Sequence, residues 1–140
     1  MSGPTLLGLY LFVEDLERSL AFYEHLGLPI ERVSPVFARA ETATSARIEF
    51  GTADLTRSYD PDWQGAGRPA TNTINFELDS REAVDATYAS LLDAGHVGHL
   101  APCEAPWGAR FAIVDDPDGN VVGLHSPREL AAERERERQA

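Results

Sequence analysis

The sequence predicts an α+β fold of two tandem βαβββ modules, and three observations predict it. Short runs alternate apolar and polar residues with the period of two expected of a strand covered on one face. Two longer segments repeat apolar residues at helical spacing between a capping side chain and a glycine. The order of these segments then recurs in the second half of the chain, which marks an internal duplication.

In the first module, Leu9, Leu11 and Val13 alternate with Tyr10 and Phe12 as a strand. Asp15 is placed to cap a helix over Leu16 to Leu26, whose residues Leu16, Leu20, Phe22, Tyr23 and Leu26 share a face, and Gly27 ends it. Strand-like runs follow near Ile30 to Val33, Val36 to Ala40 and Ala46 to Phe50. In the second module, Ile74, Phe76 and Leu78 alternate with Asn75 and Glu77. Ser80 then caps a helix carrying Val84, Tyr88, Leu91 and Leu92, and Gly95 terminates it. Further strands are expected near His96 to Leu100, Ala109 to Val114 and Val121 to His125, the last two joined by the turn sequence Asp116-Pro117-Asp118-Gly119-Asn120. The modules run over about 5–58 and 70–127. A linker rich in Pro, Gly and Asp, Tyr59 to Ala70, lies between them, and 128–140 is a tail of alternating charge.

Composition narrows the function. Twelve Lys and Arg against 23 Asp and Glu give a net charge of −11, which repels nucleic acid and anionic lipid alike. No apolar run reaches the roughly 18 residues that span a bilayer, and Met1 to Leu7 does not read as a signal peptide, so the expectation is a cytoplasmic protein. The single cysteine, Cys103, reads as a packing residue, and four scattered histidines with one cysteine make no zinc site.

The stretch Val13-Glu14-Asp15-Leu16-Glu17-Arg18-Ser19-Leu20-Ala21-Phe22-Tyr23 with Leu26-Gly27 resembles the opening strand and helix of the vicinal-oxygen-chelate superfamily, the glyoxalase and bleomycin-resistance fold. Trp107-Gly108-Ala109-Arg110-Phe111 with Asp116-Pro117-Asp118-Gly119-Asn120 resembles its closing hairpin. The resemblance implies one domain over 5–127, in which both modules form a curved mixed sheet around a ligand cup with helices on the convex face. Leu9, Leu11, Val13, Ile74, Phe76 and Leu78 would then face the helices, and Gly8, Tyr10, Phe12, Thr73, Asn75 and Glu77 the cup.

Metal-using members of that superfamily hold a divalent cation with His and Glu side chains, and the matching positions here are Gly8, Thr73 and Gly123. Glu49 fits the remaining ligand place, but one carboxylate alone holds no metal tightly. No metal and no cofactor are expected. His25, His96, His99 and His125 fall away from those positions and read as surface or second-layer residues.

The expected contacts for a flat ligand are Tyr10, Phe12, Phe37, Tyr59, Trp63, Trp107 and Phe111, since aromatic faces favour stacking. Phe22, Phe76 and Tyr88 read as core, and Phe111 stands between core and ligand contact. Arg47, Asn75, Glu77 and Arg110 are the polar candidates. For both arginines a surface ion pair is an equal alternative, and Asn75 could instead satisfy a backbone group.

A closer likeness is carried by Arg57-Ser58-Tyr59-Asp60-Pro61-Asp62-Trp63-Gln64, Asp93-Ala94-Gly95, Gly98-His99-Leu100 and Trp107-Gly108-Ala109-Arg110. These segments are similar to the mitomycin-binding family of resistance proteins, which sequester quinone-type or enediyne antibiotics. That likeness implies a homodimer with Trp107 and Phe37 as stacking walls, and sequestration of a small aromatic, quinone-like natural product for antibiotic self-resistance. The open alternative is a metal-independent biosynthetic enzyme of isomerase or cyclase type, with Glu77 or Glu49 as general base.

Overall fold

The alternation that begins at Gly8 becomes a strand in the computed structural model, which describes residues 8–43, 46–62 and 73–128. They divide into two units, Met1–Arg68 and Pro69–Ala140. Trp63, most of the linker and the tail from residue 129 onward lie outside the described residues.

The first unit runs β1 (Gly8–Val13), α1 (Leu16–Leu26), β2 (Glu31–Ser34), β3 (Phe37–Glu41), β4 (Arg47–Thr52) and α2 (Ala53–Tyr59). Its sheet has the order β1-β4-β3-β2, with β1 parallel to β4 and the other pairs antiparallel. Register brings Leu11, Phe50 and Ala38 into one row, with Ile48 and Ala40 in the next, and all five are buried. The Tyr23 ring of α1 sits 5.0 Å from that of Phe50, so α1 covers this face. Each large apolar side chain buried there contributes about 1.5–3 kcal/mol. Asp15 Oδ1 accepts from the Arg18 backbone N–H at 3.1 Å, and Gly27, at φ 111°, donates to the carbonyls of Tyr23 and Glu24. The cap and the terminator are those the sequence predicts.

The second unit repeats the plan as β5 (Thr73–Glu77), α3 (Arg81–Asp93), β6 (Val97–Ala105), β7 (Ala109–Asp115) and β8 (Val121–His125), in the sheet order β5-β8-β7-β6. Ile74, Ala112, Val114, Val122 and Leu124 form the buried face. Arg110 reaches from β7 to Asp85 of α3 at 2.9 Å, and Arg81 of α3 pairs with Glu104 of β6, so the helix lies over that face. The turn between β7 and β8 is organised by the buried Asp116. Its Oδ1 accepts from the backbone N–H groups of Asp118 and Asn120 at 2.9 and 2.8 Å, and its Oδ2 from the Asn120 side chain at 2.8 Å.

The expectation of one curved sheet around a cup is corrected by this topology. The strands form two separate four-stranded sheets, each open, with β1 and β2 at the edges of one and β5 and β6 at the edges of the other. Curling a sheet calls for bulges in its interior pairings. Here the registers of β1–β4, β3–β4, β5–β8 and β7–β8 run unbroken, and shifts occur only in the outer pairs β2–β3 and β6–β7.

Three local readings also change. Leu9 is 43% exposed instead of core, and Phe76 and Leu78 are only half-buried, because the helices cover the sheet rows centred on β4 and on β7 and β8 more fully than the edge strands β1 and β5. Helix α2 occupies residues to which the sequence reading gave no element, and takes in Tyr59, read as the start of the linker; the Thr52 hydroxyl caps it by accepting from the Leu55 N–H at 3.4 Å. Strand β6 continues beyond Leu100 to Ala105, with irregular registers around Gly98 and Leu100 and between Leu100 and Cys103. Pro102, which has no N–H to donate, falls within the second irregularity.

Candidate functional site

A candidate site lies on the face of the second sheet turned away from α3. Register sets Asn75 beside Gly123, and His125 between Glu77 and Phe111. These residues alternate with the buried Ile74, Ala112 and Leu124, so strand parity turns them to the opposite face. Trp107 joins them from the β6–β7 turn, where Gly108 adopts φ 83° and donates its N–H to the Ala105 carbonyl at 3.1 Å.

Three rings gather there. Phe111 and His125 lie 4.9 Å apart, Trp107 and Phe111 5.2 Å, and Trp107 and His125 6.0 Å. Beside them is a pocket of about 250 Å³ lined by Asn75, Phe76, Glu77, Trp107, His125, Ser126 and Arg128. Of the three rings, Trp107 and His125 line it, with Phe76, and its other lining residues carry an amide, a carboxylate, a hydroxyl and a guanidinium.

His125 is the polar member of this cluster. Its Nε2 donates to Asn75 Oδ1 at 2.8 Å, which leaves Nδ1 as the acceptor nitrogen of a neutral imidazole. Burial holds its pKa below the ordinary histidine range, with Arg128 adding to the effect and Glu77 opposing it. Gly123 gives the pair its room: a Cβ there would overlap Asn75 Oδ1 and come within 2.9 Å of His125 Nε2.

The first unit holds a second aromatic group on the face away from α1. Tyr10 meets Phe12 at 5.5 Å and Tyr59 at 6.2 Å, both edge-on. The Tyr10 hydroxyl lies 3.5 Å from Thr56 Oγ1 and crosses over Gly51, where any Cβ would overlap it. Its burial raises the phenol's pKa. Phe37 stands opposite Gly51 on β3 and is half-buried. Arg47 pairs with Glu41 at 3.4 Å and Arg39 with Glu31 at 3.1 Å, in a polar depression of about 330 Å³ that also includes Pro29 and Ala40.

Among the sequence-predicted candidates, Asn75, Glu77, Trp107 and Phe111 come together in the second unit. Tyr10, Phe12 and Tyr59 come together in the first, with Phe37 and Arg47 on the same sheet. Trp63 lies outside the described residues. Arg110 is turned to Asp85 on α3, on the covered side. His125 is the residue that the sequence reading passed over. The signal was present: it lies two residues beyond Gly123 on β8 and therefore on the same face.

The donor set does not fit a metal ion. Gly8 and Gly123 offer no side chain, and a Cβ at Gly8 would overlap the backbone carbonyl of Arg47. Thr73 carries only a hydroxyl, and Glu49 sits in register between Tyr10 and Arg39. Among the described residues no group of three or more His, Cys, Asp or Glu side chains converges as a metal site would require. No helix among them is long and apolar enough to cross a membrane.

Comparison with known proteins agrees with this architecture. The model of the Glyoxalase/Bleomycin resistance protein/Dioxygenase superfamily matches residues 5–124. A glyoxalase/bleomycin resistance protein/dioxygenase from Nocardioides is 28% identical, with 92% of this chain and 87% of that one covered at a TM-score of 0.71. A family enzyme from Burkholderia phytofirmans PsJN is 25% identical, covering 88% and 98% at 0.72. A glyoxalase-related enzyme from Fulvimarina pelagi, 19% identical over 86% of each chain at 0.75, shares the fold. No curated protein shows significant similarity to the chain.

Proposed function

Since the chain belongs to the glyoxalase/bleomycin resistance protein/dioxygenase superfamily, we propose that it binds a small aromatic molecule without a metal ion. The same proposal takes the molecule to be a quinone-like natural product that is sequestered, as an antibiotic self-resistance protein would do. The observation that supports this reading is the cluster of Trp107, Phe111 and His125, with centroids 4.9 to 6.0 Å apart, of which Trp107 and His125 line a pocket together with Asn75 and Glu77. Flat rings stack on such side chains for about 0.5–1.5 kcal/mol per ring pair beyond the area they bury. Polar groups at the rim then orient the ligand. At about 250 Å³ the pocket is small for a polycyclic ligand, so the proposal includes a homodimer in which a second copy covers what the pocket leaves open.

Glu77 in the same pocket favours a second reading, in which this carboxylate serves a metal-independent isomerase or cyclase as general base. Glu77→Gln separates the two: binding largely survives if the protein only sequesters, whereas product formation disappears if it catalyses.

The test of the binding reading is titration of the Trp63→Phe protein, which leaves Trp107 as its one tryptophan, with planar quinones. Saturable fluorescence quenching is expected, unaffected by chelators, and Trp107→Ala in the natural chain should weaken binding, measured by equilibrium dialysis, by about 1–3 kcal/mol. Unchanged affinity in that variant would remove Trp107 from the site.

A further inference from the structure

We propose that His125 is a specificity-determining residue of this pocket and that its Nδ1 accepts a hydrogen bond from a hydroxyl group on the aromatic ligand. The preferred ligand class is then a phenol or a hydroxylated polycyclic ring. The inference rests on the aromatic-pocket reading and narrows it.

Geometry supplies the argument. Donation from Nε2 to Asn75 Oδ1 fixes one tautomer, and a neutral imidazole with its proton on Nε2 presents a lone pair at Nδ1. Among the described residues no protein group donates to Nδ1, while every buried side-chain nitrogen or oxygen has a partner, so Nδ1 reaches the surface. The imidazole lies beside both Phe111, at 4.9 Å, and Trp107, at 6.0 Å, and a ligand stacked on Trp107 carries its edge substituents past it. Gly123 belongs to the same device: without a Cβ at that position, the amide and imidazole can meet across the strand. A residue of this kind discriminates strongly, because a ligand lacking the hydroxyl leaves a half-buried acceptor uncovered by water and unpaired.

The charged groups around His125 are Glu77 on β5 and Arg128 beyond β8, while Phe111 on β7 and Trp107 in the turn are uncharged. Arg110 belongs to the other face, against Asp85. Glu77 could also accept from a hydroxyl, so the test separates imidazole from carboxylate by pH and by substitution.

The experiment measures the affinity of the full chain for 2-naphthol and 2-methoxynaphthalene, which stack alike but differ in the donor. Wild-type protein at neutral pH should prefer the naphthol by about tenfold. That preference should vanish as the pH falls through the lowered pKa of His125, because a protonated Nδ1 donates and no longer accepts. His125→Phe, which keeps a ring, should bring the two ligands to the same affinity. Equal affinities in the wild type, or a preference that persists in His125→Phe, would overturn the assignment. Binding of neither compound, with the fluorescence of the Trp63→Phe protein unmoved, would overturn the pocket reading and this inference with it.

Discussion

At the scale of single residues, polar side chains of the second unit satisfy one another, as His125 and Asn75 do. Asp116 is a structural example: one buried carboxylate accepts from two backbone N–H groups and one side-chain amide and so fixes the β7–β8 turn. Asp116→Ala leaves those donors unpaired and should cost about 2–3 kcal/mol in a urea denaturation. A change below 0.5 kcal/mol would show that the turn holds without it. Parity explains what the sequence made legible at this scale. Asn75 and Glu77 were readable as one face because they alternate with the apolar Ile74, Phe76 and Leu78, whereas Phe111 was left between core and ligand contact. Applied consistently, the same rule separates the adjacent pair Arg110 and Phe111, since neighbours on a strand point apart, and it assigns His125 to the face of Gly123. The hydrogen bond between His125 and Asn75 was not legible, because it depends on which β8 residue stands beside Asn75, and pairing register is a tertiary property.

At the scale of elements, caps and terminators were the most readable features. Asp15, Gly27 and Ser80 occupy the roles their residue types dictate, with Ser80 Oγ accepting from the Ala83 N–H at 3.0 Å. Ser80→Ala should destabilise the protein by about 1 kcal/mol, and Ser80→Gly by only a few tenths, in thermal or chemical unfolding. A loss equal in both variants would point to a packing role instead. Helix α2 escaped the sequence reading because seven residues are too few to display a helical period, although Thr52 and Asp54 carry the marks of a helix start. Strand β6 was read too short because Pro102 and the irregular registers break the alternation on which strand reading depends.

At the scale of the whole molecule, the duplication legible in the sequence appears as two units with the same strand order. What duplication does not determine is how far a sheet curls, because curvature comes from bulge placement inside the ladder and not from element order. Family membership narrows the range of chemistry without choosing within it. The proposed metal-free binding rests on the donor set: glycine at 8 and 123 and threonine at 73, the positions that the resemblance matches to metal ligands, and aromatic rings on the face that bears Gly123. The most direct test is a nitrogen-15 NMR titration of chelator-treated protein with 2-naphthol. Saturable shifts of the Trp107 indole and of the His125 and Asn75 amides are predicted with no metal added. Shifts that arise only after a divalent cation is restored, or that fall outside the face bearing Asn75, Trp107 and His125, would contradict the account.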